Sequence, residues 1–211
     1  MKIHNFTEDS RKGREYLGRR AEILKAGEKL FAEKGFYGAT MVDLAKMSEF
    51  SVGTLYNFFK TKEEVYYTLL IEKIDLFHSM LDREVNRHPP GLPQILQLIE
   101  SSVKFFQEDK DFFRIFIQER STLELSVAAT EPKELRQRYL AHIDFVANVI
   151  TRAIENGDIE KSNALETAYV LVGILNSFVV YWTMYPEQNG LVSKIPFIYD
   201  LFLKGVAKRG R

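Results

Sequence analysis

The stretch Phe50-Ser51-Val52-Gly53-Thr54-Leu55-Tyr56-Asn57-Phe58-Phe59-Lys60-Thr61-Lys62-Glu63-Glu64 decides how this chain is read. Leu55 and Phe59 lie four apart, so in a helix they share one face and point inward. Val52, Thr54, Tyr56 and Asn57 then point outward, and they are small or planar groups instead of the Glu and Lys of a merely solvated face. Ser51 caps this helix, and Thr61 with Glu64 matches a capping box that opens a longer helix through Val65, Leu69, Ile74, Phe77 and Leu81.

Upstream, apolar residues at helical spacing (Ile23, Leu24, Gly27, Leu30, Phe31) predict a helix from about Arg19 to Lys34, ended by Gly35. Thr40 caps a short helix through Met41, Leu44 and Ala45, with Asp43 three residues on, and Ser48-Glu49-Phe50 breaks it. Two short helices joined by a tight turn and braced by a longer one form the plan of a helix-turn-helix, whose second helix enters the DNA major groove. An αα-hairpin in a bundle has the same outline. The outward residues of the second helix favour DNA.

Charge supports this locally. Lys+Arg and Asp+Glu each number 29, so the net charge is zero, yet residues 1–60 hold 11 basic against 8 acidic groups and the remainder 18 against 21. Much of the basic excess lies in residues 1–18 and just after, at Lys2, Arg11, Lys12, Arg14, Arg19 and Arg20, which make either a phosphate-tracking arm or a solvated tail.

Beyond the head the pattern stays helical, and alternating strand signals are nearly absent. Arg87-His88-Pro89-Pro90-Gly91 breaks the long fourth helix, and further helices are expected over about 93–107, 109–126, 132–155, 163–184 and 193–208, about nine in all. The fold class is all-α. The uncharged run 167–186 has the length of a membrane span, but Asn176, Ser177, Thr183 and the absence of a basic flank favour a buried helix, so no membrane partner is expected. The polar amino terminus has no signal-peptide core and the chain has no cysteine, which excludes disulfides, thiol zinc sites and cysteine nucleophiles and suits a reducing cytoplasm.

No catalytic constellation emerges, so the chain is not expected to be an enzyme or to need a cofactor or metal. Asp75, His78 and Asp82 share a helix face, but one such motif is not the pair a di-iron bundle needs, and His142 and Asp144 fall on different faces. The aromatic content of the long helical remainder is high. The Phe112-Phe113 pair with Phe116 cannot all face one seam, so one side must meet a cavity, a partner or solvent.

Residues 20–66, above all the quoted stretch with Phe31-Ala32-Glu33-Lys34-Gly35-Phe36 and Thr40, resemble the DNA-binding domain of the TetR/AcrR family of transcriptional regulators. The resemblance implies a basic arm over 1–18, a helix-turn-helix domain over 19–62 and a helical effector-binding and dimerisation domain over 63–211. It implies DNA contacts at Thr40, Ser51, Val52, Gly53, Thr54, Tyr56, Asn57 and Lys60. Tyr56 and Lys60 would hold backbone oxygens, Thr54 and Val52 would face base edges, and the N–H groups of the helix behind Thr40 would hold a phosphate. It also implies a homodimer that reads a double-stranded operator, and a repressor released by a small hydrophobic or aromatic effector. The expected pocket residues are Phe77, Phe105, Phe112, Phe116 and Phe145, and the expected dimer interface is Leu171, Ile174, Phe178, Trp182 and Phe202. Two positions depart from the family: Glu49 stands where the turn has glycine, and Val52 where a basic or polar residue is common. If these departures cost the head its affinity, the alternative is a helical carrier or sensor of hydrophobic ligands without DNA binding.

Overall fold

The computed structural model describes residues 10–125, 133–185 and 190–206, with backbone only for 118–125 and 206. The described residues form α1 (Arg11–Gly38), α2 (Met41–Ser48), α3 (Val52–Phe58), α4 (Lys62–Val85), α5 (Leu92–Glu108), α6 (Lys110–Leu125), α7 (Lys133–Glu155), α8 (Ala164–Met184), a 3-10 turn (Leu191–Lys194) and α9 (Ile195–Val206). The all-α expectation holds, and no strand occurs among these residues.

Three boundaries differ from the sequence reading. Helix α1 begins at Arg11, because the Ser10 side chain accepts the Gly13 N–H at 3.0 Å and Tyr16 stacks on Phe58 with ring centroids 4.6 Å apart. Arg11, Lys12 and Arg14, expected in a basic arm, therefore sit on a helix, while Lys2 lies outside the described residues. Gly35 has φ 68°, ψ 170°, a kink and not the helix end, and α1 resumes for one turn beyond it. The last helix is preceded by a 3-10 turn and starts two residues later than expected, at Ile195.

The chain divides into two compact units, residues 1–70 and 71–211. The first is built on Ile23, Leu30, Phe31, Leu44, Leu55, Phe59 and Val65, all buried. A Cβ on Gly27 would stand 3.2 Å from Val65 Cγ1, so the absence of a side chain lets α1 and α4 approach closely. In the second unit α5 is the hub, packing against α6, α7, α8, α9 and the 3-10 turn, with Ile95, Leu98, Ile99 and Val103 fully enclosed. Helix α8 is long and apolar enough to cross a membrane, but Leu171, Leu175, Val179 and Trp182 bury one side of it in this core.

A latch joins two loops of the second unit. Gly91 has φ 106°, ψ −145°, a backbone region essentially reserved for glycine. The Asp158 carboxylate accepts the Leu92 N–H at 3.2 Å, and Asn156 Nδ2 donates to the Pro90 carbonyl at 2.8 Å. A Cβ on Gly91 would collide with Asp158 Oδ2 and lie 2.9 Å from Asn156 Nδ2. Gly91→Ala is therefore expected to cost about 3 kcal/mol. In thermal unfolding this lowers Tm by roughly 6 to 12 °C; an unchanged Tm would contradict the latch.

Candidate DNA-reading head and effector cavity

The turn between α2 and α3 is set by Glu49, at φ 59°, ψ 23°. Left-handed backbone costs an ordinary residue about 1 kcal/mol, which is why glycine suits this place. Closure of the helix end compensates: the Phe50 N–H reaches the Ala45 carbonyl at 3.1 Å and the Ser48 hydroxyl the Leu44 carbonyl at 2.7 Å. The Ser51 side chain then caps α3, accepting the Thr54 N–H at 3.0 Å, with the two hydroxyls 2.8 Å apart. Leu55 and Phe59 are buried, whereas Ser51, Gly53, Tyr56, Asn57 and Lys60 are exposed and Val52 and Thr54 half-buried.

Thr40 is exposed, but its hydroxyl donates to Asp43 Oδ2 at 2.7 Å and accepts the Asp43 N–H at 3.1 Å. Those bonds, with Lys34 Nζ 2.9 Å from Asp43 Oδ1, hold the Asp43 carboxyl below its usual range. The donors open to an anion at this helix start are the first N–H groups of α2, which lack intrahelical partners. The two lysines of Lys60-Thr61-Lys62 have different environments. Lys62 Nζ donates to the Phe36 and Ala39 carbonyls at 2.7 and 3.0 Å and sits 4.3 Å from the Phe36 ring centre. Lys60 is exposed, and its backbone N–H donates to Glu64 Oε2 at 2.6 Å while the Glu64 N–H meets Thr61 Oγ1. Sequence reasoning missed Lys62 and Tyr16 as structural parts. Tyr16 lies seven residues before Ile23, a helical register that extends the apolar face of α1.

The second unit encloses a cavity of about 30 Å³ walled by α4, α5, α6, α7 and α8. Phe77, Phe112 and Phe116, expected in a pocket, line it together with Ile74, Phe106, Tyr139, Val172 and Leu175. Phe105 and Phe145 do not. Phe105 is rotated away from the lining Phe106 and packs on Phe77 with ring centres 4.8 Å apart, and Phe145 lies a turn beyond His142, the last lining residue of α7.

The polar part of the wall was not foreseen: His78, Ser102, Arg138, His142 and Asn176. The two imidazoles stack, centroids 5.2 Å apart and planes 19° from parallel. His78 Nε2 and His142 Nδ1 are both buried without a hydrogen-bond partner. Burial, then the neighbouring His78, pushes the His142 pKa down to about 3, and burial lowers that of His78, with Asp75 opposing and Arg138 assisting. Arg138 is bidentate to Asp75 at 2.7 and 3.0 Å, which holds the guanidinium pKa above its usual value. Asp75 and Asp82 are thus engaged elsewhere, Asp82 with Asn86 Nδ2 at 2.8 Å, and no group of metal-ligating side chains occurs among the described residues.

Of the expected interface residues, Leu171, Trp182 and Phe202 are buried inside the protomer, so they cannot meet a partner. Trp182 instead lies 4.5 Å beneath Lys110 Nζ. Ile174 and Phe178 are half-buried at the edge of an outward apolar stripe that the other side of α8 supplies: Val170 (56% exposed), Tyr181 and Met184, continued on α9 by Phe197 (58%) and Leu201.

Residues 23–67 match the family model of bacterial regulatory proteins of the tetR family. Over 188 residues the chain is 22% identical to the fatty acid metabolism regulator protein of Bacillus subtilis, covering 88% of this chain and 94% of that one. Among solved structures, the fatty acid degradation regulator FadR of Bacillus halodurans superposes with a TM-score of 0.78 at 20% identity, over 90% of this chain and 97% of the other. FadR of Bacillus subtilis, solved in complex with stearoyl-CoA, gives 0.74 at 17% identity over 88% and 98%. Residues 23–67 thus carry the helix-turn-helix head of the tetR family of bacterial regulatory proteins, and the chain shares its fold along nearly its whole length with regulators of this kind.

Proposed function

We propose that the chain works in the cytoplasm as a homodimeric repressor that leaves its operator when a small, largely apolar molecule enters the cavity of the second unit. The observation that carries this is the cavity itself. About 30 Å³ admits roughly one water, so any effector of several carbons must push the walls apart. One wall, at Ile74, Phe77 and His78, belongs to α4, which starts in the head at Lys62 and runs unbroken to Val85. The effector therefore binds an expanded state more tightly than the closed one, and that difference, about 1 to 3 kcal/mol in allosteric proteins, is what operator affinity loses. The solved relative that carries stearoyl-CoA supports an apolar effector in this fold.

In the head, Tyr56 and Lys60 serve as backbone contacts, Thr54 and Val52 face base edges, and Asn57 reads an edge or a phosphate. Ser51 positions Thr54, Gly53 keeps the helix surface low, and the start of α2 behind Thr40 offers N–H groups to a phosphate. The outward stripe of α8 and α9 supports a four-helix interface about a two-fold axis, which would set two reading helices about 34 to 36 Å apart.

Gel-shift titrations against DNA flanking the gene, run as a salt series, test the head. Lys60→Ala is expected to weaken all sequences alike and to lower the salt slope by about one per head, and Tyr56→Phe to weaken them alike. Thr54→Ala should relax preference at one base pair by about 1 to 3 kcal/mol. Lys62→Ala is the contrasting case, lowering Tm through the loss of a bound charge. If Lys60→Ala and Tyr56→Phe both leave DNA retention unchanged, the carrier reading replaces this one.

Glu49→Gly relieves the left-handed strain and removes a carboxylate beside the reading helix. It should stabilise the head by roughly 0.5 kcal/mol, glycine's own chain entropy offsetting part of the gain, and tighten DNA binding most at low salt. A looser complex at low salt would count against the placement of Glu49 near phosphates. For the dimer, Phe197→Glu with Val170→Glu should weaken self-association at least ~30-fold by analytical ultracentrifugation and abolish operator binding. A wild-type monomer at micromolar concentration refutes the two-fold arrangement.

A further inference from the structure

The cavity is not uniformly apolar. Phe77, Phe106, Phe112 and Phe116 cover one part of its wall, and the stacked pair of His78 and His142 marks another. Each imidazole contributes one buried nitrogen, Nε2 of His78 and Nδ1 of His142, that has no hydrogen-bond partner. An unpaired buried polar atom is costly, and such atoms are rare in folded proteins, so two of them on facing rings at one cavity call for a ligand group that satisfies both. The nearest strong charge, Arg138, is closed off by its two bonds to Asp75. Its remaining charge is partly neutralised by that carboxylate, and a third N–H is taken by the Glu134 carbonyl at 3.3 Å.

Building on the effector reading above, we propose that the molecule taken by this cavity is apolar apart from one neutral group that both donates and accepts a hydrogen bond, of which a hydroxyl is the smallest, and that His78 and His142 hold that group between them. Both rings are neutral near pH 7, because burial disfavours their protonated forms. A neutral imidazole has one N–H and one bare nitrogen, so the pair can offer a donor from one ring and an acceptor from the other. A hydroxyl uses both at once. A ketone uses only the donor, and a carboxylate cannot donate and is repelled by the bare nitrogen. The surrounding phenylalanines take the hydrocarbon.

The test uses the full chain without DNA and three probes of one chain length, 1-octanol, 2-octanone and octanoate, titrated by calorimetry at pH 8. The expected order is 1-octanol tightest, by about 10-fold over 2-octanone and by more over octanoate. His142→Phe keeps a ring among apolar neighbours and removes the unpaired nitrogen; it should weaken 1-octanol about 10-fold, and 2-octanone less than about 3-fold only if His78 is the ring that donates. His78→Phe removes the other half and should act in the same direction, and the double variant should add little to either single change. The proposal is overturned if octanoate binds tightest, if the three probes bind within about 3-fold of one another, if none binds, or if both variants leave 1-octanol untouched. Operator release is measured separately by gel shift. A protein that binds 1-octanol and stays on DNA loses the release mechanism but keeps this site.

Discussion

Lys62 is the fastening on which the head depends. Its ammonium is received by two backbone carbonyls, of Phe36 and Ala39, and by the face of Phe36, none of which carries a charge of its own. Those carbonyls belong to the end of α1 and the link into α2, so one side chain ties the first turn of α4 to the segment that positions Thr40. Around it Phe31, Phe36 and Tyr66 form a ring cluster with centroids 4.8 to 6.4 Å apart, which partly shields the bonds from solvent. Helix α4 has 24 residues, and Ile74, Phe77 and His78 on it line the cavity of the second unit.

The head was legible because its determinants are local. Caps at Ser51 and Thr40, the inward pair Leu55 and Phe59, and a left-handed Glu49 all follow from residues within a few positions of one another. What the sequence hid is non-local. The start of α1 depends on Tyr16 meeting Phe58, and a charged stretch gives no sign of a ring waiting forty-two positions on. His78 read as part of an acidic face because Asp75 and Asp82 flank it at helical spacing; the Arg138 that claims Asp75 is 63 residues away. Of the five phenylalanines expected in a pocket, three line the cavity. Choosing between Phe105 and Phe106 needs the rotation of α5, which adjacent aromatics in a sequence do not specify. Helix α8 posed the same problem, since two apolar stripes were visible but not which one the core would take.

The second unit places charge and hydrogen bonding apart from one another. Arg138 and Asp75 neutralise each other at the cavity edge, and Lys73, on another side of α4, pairs with Asp109. That leaves the cavity wall with dipoles and rings but little net field. Neutral imidazoles suit such a wall, because the same apolar surroundings that suppress their protonation make an unmet hydrogen bond expensive. The stacked imidazoles are therefore a polar exception in a largely aromatic wall.

The latch at Gly91 has a consequence for how the second unit comes apart. The loops before α5 and after α7 lie 66 residues apart in sequence but share Asp158 and Asn156 as fasteners. When either loop frays the other loses a bond, since freeing the Leu92 amide takes a donor from Asp158 and freeing Pro90 takes an acceptor from Asn156. Peptide segments remote along the chain are thus coupled, so that loosening one loop removes a bond from the other.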